Sequence, residues 1–466
     1  MATRVEKFPL WGKLLYASGN IGFTIADRIW VVFMLYFFLP PAESGMPELI
    51  SNKTFFGVLT VVGVMTLFGR IVDSIADPII SNWSDRSKSP LGRRRFFLIF
   101  GGLPLMASSV ILFLPPVPYA SVANAVWMGF WLGVLLFFFT FYVGPWLALI
   151  PELTHNDTER VNLTLLQAAF ALVGVIIVMI GGYALWGFLE KTTGMDKSTA
   201  LQVTIGILAV IGLVFCYIAV IPINEKRYCD SAPSEIGLID SLKLTLKNKP
   251  FLIYLFATIC LWFALNIISQ AATYYVTVLL KKPESFATVV FGAVFGTALI
   301  FFPILSFLNR FISKKTIMVV STLIFAVFAP LTYYLGTDVL ILDPMVQAYI
   351  IFAFVGIPVS ALLAIPNAMI SDLAEYDAIT TGSKREGMYF GAQGLFQKIN
   401  LGISTLILGY LFATFGKDIA NPLGVKLSGL VVGVVCLIGA ILYILYPEKD
   451  VLAVVEKHRA EVIVEK

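Results

Sequence analysis

The order of hydrophobic and polar positions divides the chain into long apolar runs separated by short polar stretches. About twelve runs occur, near residues 14–39, 55–82, 95–115, 121–149, 162–189, 201–222, 250–279, 286–309, 316–336, 346–371, 388–414 and 424–446. A helix needs roughly 20 apolar residues to cross a bilayer. Lipid offers no partners to open backbone groups, so such runs predict helices; a closed barrel would show short alternating strands instead. The one long hydrophilic interruption, 224–249, separates six runs from six. The pattern predicts an all-α membrane protein with twelve transmembrane helices in two six-helix halves. These are residues 1–223 and 250–446, joined by a cytoplasmic loop at 224–249 and followed by a solvated tail helix at 447–466.

Charge adds an orientation. Arg86, Lys88, Arg93, Arg94 and Arg95 follow the second run, and Lys226, Arg227, Lys243, Lys247 and Lys249 the sixth. Arg310, Lys314 and Lys315 follow the eighth, and Lys384 and Arg385 the tenth, whereas 116–120 and 337–345 hold no Lys or Arg. Basic loops stay on the cytoplasmic side, so both termini are expected there, in a multi-pass plasma (inner) membrane protein. The net charge of +4 follows from this loop bias and calls for no nucleic-acid partner. Composition agrees: 58% of the 466 residues are hydrophobic and 13% charged, against about 25% charged in soluble domains.

Several function classes drop out. Cys216, Cys229, Cys260 and Cys436 make no disulfide framework, three of them lying in apolar runs. The two histidines, His155 and His458, fall in a loop and in the tail, with no metal-protease or phosphate-loop motif for an enzyme or a primary pump. A channel would show a filter loop or rings of charge. Asn82 and Asn162 match the glycosylation pattern but sit at cytoplasmic helix ends. The N-terminus has no short apolar stretch leading to a small-residue cleavage site, so the first run is expected to stay.

One run carries charge where lipid penalises it. RIVDSIADP, residues 70–78, places Asp73 and Asp77 at i and i+4, on one helix face. Each charge costs roughly 2.5–3.5 kcal/mol in a span. Two carboxylates about 6 Å apart repel by roughly 2–3 kcal/mol at an effective dielectric near 20. Either one takes a proton or a cation sits between them, and carboxylate oxygens suit a hard cation such as Na⁺ or Li⁺. Arg70 is placed to pair with Asp73 at i+3, and Pro78 frees carbonyls near residue 74. Thr140 in the fourth run and Lys398 in the eleventh can reach the carboxylates; Lys398 is expected to tie to one of them until the cation binds. The halves also echo each other. LIPELTHNDTER and MISDLAEYDAITTGSKREG both place an acid, Glu152 or Asp372, before a leucine and a polar loop, and both halves have a basic loop after their second helix.

Three stretches resemble the glycoside–pentoside–hexuronide:cation symporters, the melibiose-permease family of the major facilitator superfamily. They are GRIVDSIADPIISNWSDRSKSPLGRRR, YVGPWLALIPELTHNDTERVNLT and SDLAEYDAITTGSKREGMYFGAQGLFQK, with NKPF before the seventh run. The resemblance extends over essentially the whole chain. It implies a cation site at Asp73, Asp77 and Thr140 and puts Lys398 on the family's helix-eleven lysine. The sugar side departs from the pattern: the family's helix-one Lys-Asp pair, helix-four Asp and helix-five Arg fall here on Phe23-Thr24, Val143 and Ala168. Asp27 and Arg28, one turn later, are candidate replacements. Asn20, Thr24, Trp146, Gln167 and Gln393 are further solute candidates, and Arg93, Arg94, Asp372, Arg385 and Glu386 are gating candidates.

The expected function is cation-coupled symport, with Na⁺, Li⁺ or H⁺, of a small polar solute such as a glycoside, oligosaccharide or uronide. A monomer without resident cofactors, surrounded by lipid, suffices. Alternatives are a lysophospholipid carrier of the same fold and a non-transporting sensor.

Overall fold

The computed structural model describes residues 6–55, 59–154, 157–228, 246–381 and 386–464. Among the described residues the regular structure is helical apart from one antiparallel pair of two-residue strands. Helix α1 is Leu10–Phe38; β1 and β2 are Thr54–Phe55 and Leu59–Thr60; α2 is Val61–Arg86, α3 Arg95–Ile111 and α4 Val122–Ala148. A single turn, α5 (Ile150–Leu153), precedes α6 (Asp157–Ile176), which continues through a π-turn at Ile177–Gly182 into α7 (Tyr183–Thr193). Next come α8 (Lys197–Ile218) and the turn α9 (Glu225–Tyr228). Helix α10 is Lys249–Tyr274, closed by a π-turn at Tyr275–Leu279. The remainder are α11 (Ala287–Leu308), α12 (Lys314–Phe328), α13 (Pro344–Ala364), α14 (Pro366–Thr381), α15 (Glu386–Phe415), α16 (Leu423–Leu445) and α17 (Glu448–Val464).

Among the described residues ten helices are long and apolar enough to cross a membrane. The two expected spans outside that set are α2, which carries Arg70, Asp73 and Asp77, and α3, 17 residues long. Helix α2 starts at Val61 rather than 55. Thr54 and Phe55 pair in register with Thr60 and Leu59, and the Thr60 side chain accepts from the Gly63 N–H, satisfying a free donor of the first turn. Pro366 lacks the amide that would continue α13, so the tenth run is two helices. The tail helix is less solvated than its sequence predicts: Val451, Val455 and Glu448 are buried. A Glu448 carboxylate oxygen accepts from the Lys315 N–H, and Lys315 Nζ donates to the Tyr446 carbonyl.

The chain forms two compact units, Met1–Ser234 with Lys282–Thr288, and Glu235–Lys281 with Val289–Lys466. In the first, α2 and α3 pack on α4, and α1 packs on α6 and α8. Glycine makes the α1–α8 approach possible: a Cβ at Gly22 would lie 2.6 Å from Cys216 Sγ and 2.7 Å from the Gly212 carbonyl oxygen. Without a hydrophobic gain between helices in lipid, such close backbone contact is a main source of association. In the second unit α16 packs on α10 and α12, and α10 packs on α15. Residues 282–288 follow α10 in sequence, yet join the first unit, where Glu284 is buried against Tyr36 and Lys197.

Candidate cation and solute site

Helix α2 turns its charges inward and its hydrocarbon outward. Arg70, Asp73, Ala76 and Ile80 are buried, whereas Phe68, Ile71, Ile75, Ile79 and Trp83 are about half exposed or more. The exposed stripe suits lipid, and the buried face meets α4. Small residues draw the two helices together: a Cβ at Gly69 would stand 3.0 Å from Leu132 Cγ, and one at Gly129 would clash with Met65 Sδ at 2.5 Å.

That packing puts Thr140 between the carboxylates. Its Oγ1 lies 2.6 Å from Asp73 Oδ1 and 3.1 Å from Asp77 Oδ1. Asp73 is fully buried. Arg70 Nη1 donates to Asp73 Oδ2 at 3.0 Å, and its guanidinium stacks over the Trp30 ring at 4.8 Å. A hydroxyl has one proton to donate, so Thr140 can serve one carboxylate at a time. Its one hydrogen is shared between the two contacts, the shorter of which is to Asp73. Arg70, Asp73 and Asp77 together carry a formal charge of −1, which one monovalent cation or one proton brings to zero.

The expected solute groups separate. Asn20 Nδ2 donates to the Gln167 carbonyl at 2.8 Å, bringing α1 and α6 together. Trp146 is no open platform for a sugar ring. It stacks on Tyr16 with ring centres 4.9 Å apart and takes the edge of Phe23 at 4.9 Å, and Tyr16 donates to its carbonyl. Asp27 and Arg28 pair with each other at 2.5 Å. Thr24 packs where α6 approaches α1 at Gly174. In the second unit, the Gln393 side-chain carbonyl oxygen accepts from Tyr254 at 2.8 Å beside the α13–α14 break. Lys398 is half-buried on α15 of that unit.

The basic loop groups find acidic partners. Arg93 Nη2 and Arg94 Nη2 bind Glu152 Oε1 at 2.6 and 2.9 Å, and Arg94 reaches Asp85 at 3.1 Å. Burial pushes the Glu152 carboxyl up, and Arg94 and Arg93 oppose that rise. Lys314 pairs with Asp372 at 2.5 Å, so each echoed acid meets a base from its own unit. Arg385 lies outside the described residues, and Glu386 opens α15.

Sequence reasoning missed three features. Glu225 accepts from the backbone N–H groups of Arg93, Arg94 and Arg95 at 2.8, 2.8 and 2.6 Å, a carboxylate at the positive end of α3. Gly92, at φ +113, leaves room for it, since a Cβ there would lie 2.6 Å from Glu225 Oε1. Glu284 is the second. The third is a set of buried donors with no partner among the described residues, including Trp30 Nε1, Arg70 Nε, Trp146 Nε1 and Gln167 Nε2 in the first unit and Trp262 Nε1 and Gln270 Nε2 in the second.

Known proteins supply the comparison. A family model described as MFS/sugar transport protein matches residues 15–447. The uncharacterized symporter YnaJ of Bacillus subtilis is 25% identical over 426 residues, covering 89% of this chain and 85% of its own. The putative sulfoquinovose importer of Escherichia coli is 23% identical, covering 88% and 83%. The crystal structure of a bacterial homologue of the human lysosomal transporter Spinster, inward-facing and occupied, superposes with a TM-score of 0.65 at 13% identity, covering 94% and 96%; at that identity the likeness is one of fold. A multi-pass helical chain, a buried charged cluster and a match over nearly its whole length lead to one conclusion: this chain belongs to the MFS/sugar transport protein family and is a membrane transporter, not an enzyme.

Proposed function

We propose that the protein couples entry of one monovalent cation, Na⁺ in the first instance, to transport of a small solute rich in acceptor oxygens, such as a glycoside, oligosaccharide or uronide. The observation that carries this reading is the convergence of Asp73, Asp77 and Thr140. Two carboxylates and a hydroxyl in a span supply hard oxygen ligands for such an ion. Donors without partners support the solute class. A buried donor left unsatisfied costs about 1–3 kcal/mol, and an oxygen-rich ligand relieves that cost at Trp30, Arg70 and Gln167.

In this mechanism the cation removes the carboxylate repulsion and fixes α2 against α4, which completes the solute surface. Each ligand then raises the affinity for the other by the same factor. Both halves rock between two states, with α2 and α3 completing twelve spans and both termini cytoplasmic. The Arg93–Arg94–Glu152 and Lys314–Asp372 pairs act as cytoplasmic gates. The test uses reconstituted liposomes with labelled lactose, glucuronate and sulfoquinovose. An inward Na⁺ gradient should drive accumulation of at least one. Accumulation with a proton gradient alone would assign the same carboxylates to H⁺. No accumulation with either gradient would overturn the reading.

A further inference from the structure

The link between α12 and α13 turns its apolar side chains outward. After α12 the chain makes one 3₁₀ turn at Ala329–Tyr334 and another at Asp338–Leu340, and α13 begins at Pro344. Val339 is 64%, Ile341 92% and Leu342 49% exposed. Ile341 is the most exposed large apolar side chain among the described residues, and it stands at φ +56. A β-branched residue is sterically strained in that left-handed region, where glycine or asparagine turns more easily. Nothing inside the fold favours isoleucine here, because its side chain lies almost wholly outside it. The loop is nevertheless firmly held. The Gly336 N–H donates to Gln347 Oε1 at 3.0 Å, and Gln347 Nε2 donates to the Thr337 and Leu342 carbonyls at 3.0 and 2.7 Å. Gln347 is buried on α13, so one side chain ties both ends of the loop. Gly336, at φ +75, lies against the Leu279 carbonyl of the α10 π-turn, where a Cβ would come within 2.3 Å of the oxygen. The three apolar side chains are thus presented on a fixed backbone.

We propose that Val339, Ile341 and Leu342 form an interfacial anchor, seated in lipid at the boundary between headgroups and acyl chains. Lipid is the occupant for two reasons. The loop joins two helices long and apolar enough to cross a membrane, so it lies at a membrane surface. Its apolar face also continues along α13 in Val346, Ile350 and Phe354, at i, i+4 and i+8 and 43%, 40% and 41% exposed, the stripe such a helix turns to lipid. Tyr334 precedes the loop and Tyr349 follows it, both exposed, and tyrosine favours the membrane–water boundary. Residues 337–345 hold no Lys or Arg, so apolar burial, not attraction to anionic headgroups, supplies the contact. That burial offsets the strain at Ile341 and sets the depth of this end of the second unit. The inference rests on the membrane character of the chain alone, not on the solute or ion it carries.

Spin-label power saturation on the full-length protein in phosphatidylethanolamine–phosphatidylglycerol liposomes tests it. In a background with Cys216, Cys229, Cys260 and Cys436 replaced, a nitroxide at Ile341→Cys is compared with two references. One is Glu456→Cys, exposed on the tail helix, and the other is Phe354→Cys, further along α13. The ratio of oxygen to nickel-chelate accessibility at 341 should be at least threefold above that at 456 and below that at 354. A ratio equal to that at 456 would put the loop in water and overturn the anchor. Low accessibility to both reagents, with spectral broadening that disappears on dilution with unlabelled protein, would mean that a second copy covers the loop, and would also overturn it. Ile341→Asn suits the left-handed turn and removes the apolar side chain. In that variant the ratio at a Val339→Cys label should fall at least twofold, with the ratio at 354 unchanged. An unaltered ratio at 339 would show that Ile341 does not hold the loop in lipid, which overturns the proposal as well.

Discussion

Asp73 and Asp77 were legible because lipid makes every buried charge expensive, and a sequence that keeps two on one helix face must use them. Thr140 was a weaker signal: a hydroxyl in a span usually bonds its own helix, but here it stands 2.6 Å from Asp73. Asp73→Asn takes one of the two carboxylates from the site and brings the formal charge of Arg70, Asp73 and Asp77 from −1 to zero. Uphill accumulation should fall to background and the Na⁺-induced melting shift should vanish, while solute exchange without a gradient persists. Normal accumulation by this variant would remove the cation site from α2. Thr140→Ala leaves both carboxylates and takes away one oxygen, so Na⁺ affinity should drop about tenfold, near 1.4 kcal/mol, read as the Na⁺ concentration for half-maximal stabilisation. Trp146 shows where residue-level reading ends. Its amphipathic ring fits a sugar stack or a core, and the Tyr16 ring lying against it decides for the core.

At the scale of the element, apolar runs gave the helices, and local chemistry gave their ends. Asp196 accepts from the Thr199 N–H and caps α8. Removing such a cap costs about 1 kcal/mol, the loss expected for Asp196→Ala in the melting of the purified protein. Hydrogen bonds from Thr199 hold this carboxyl below its usual value. A carboxyl lowered on folding contributes above its unfolded pKa of about 3.9 and loses that contribution as pH falls through the folded value. The difference between wild type and variant should therefore shrink below about pH 4; a constant difference would mean the cap does not act as a carboxylate. Contact between elements was not legible. Gly22 is one of 36 glycines, and only the 2.7 Å approach to the Gly212 carbonyl marks it. Gly22→Ala should lower stability by about 1–3 kcal/mol. Cys216→Ala in the same chain should not restore it, because the Gly212 oxygen is backbone.

For the whole molecule, the two-unit organisation departs from chain order at residues 282–288. Glu284, 2% exposed at its side chain, meets Lys197 Nζ at 2.9 Å and Tyr36 at 3.0 Å. Gly187 gives the strap room, since a Cβ there would lie 2.3 Å from Ser285 Cβ. Lys281, at φ +53, sits at the boundary where the chain leaves the second unit. Breaking a buried pair from one side strands the other charge, but Lys197 is 28% exposed, so Glu284→Gln should cost about 1–2 kcal/mol. Lys197→Met with Glu284→Gln should cost less than the two single changes summed. Strict additivity in melting would show that the pair holds nothing.

The sequence by itself determined the class of the protein, most of its helices, its charged α2 face and the acids and bases of its polar loops, because hydration and charge penalties act on each segment wherever it lies. Tertiary structure alone decided which neighbours satisfy which polar atoms. It gave Glu152 to Arg93 and Arg94, Glu225 to the start of α3, Glu284 to Lys197 and Gln393 to Tyr254. Pairing depends on distances between segments far apart in the chain, and a hydrogen bond either reaches or does not within a few tenths of an ångström.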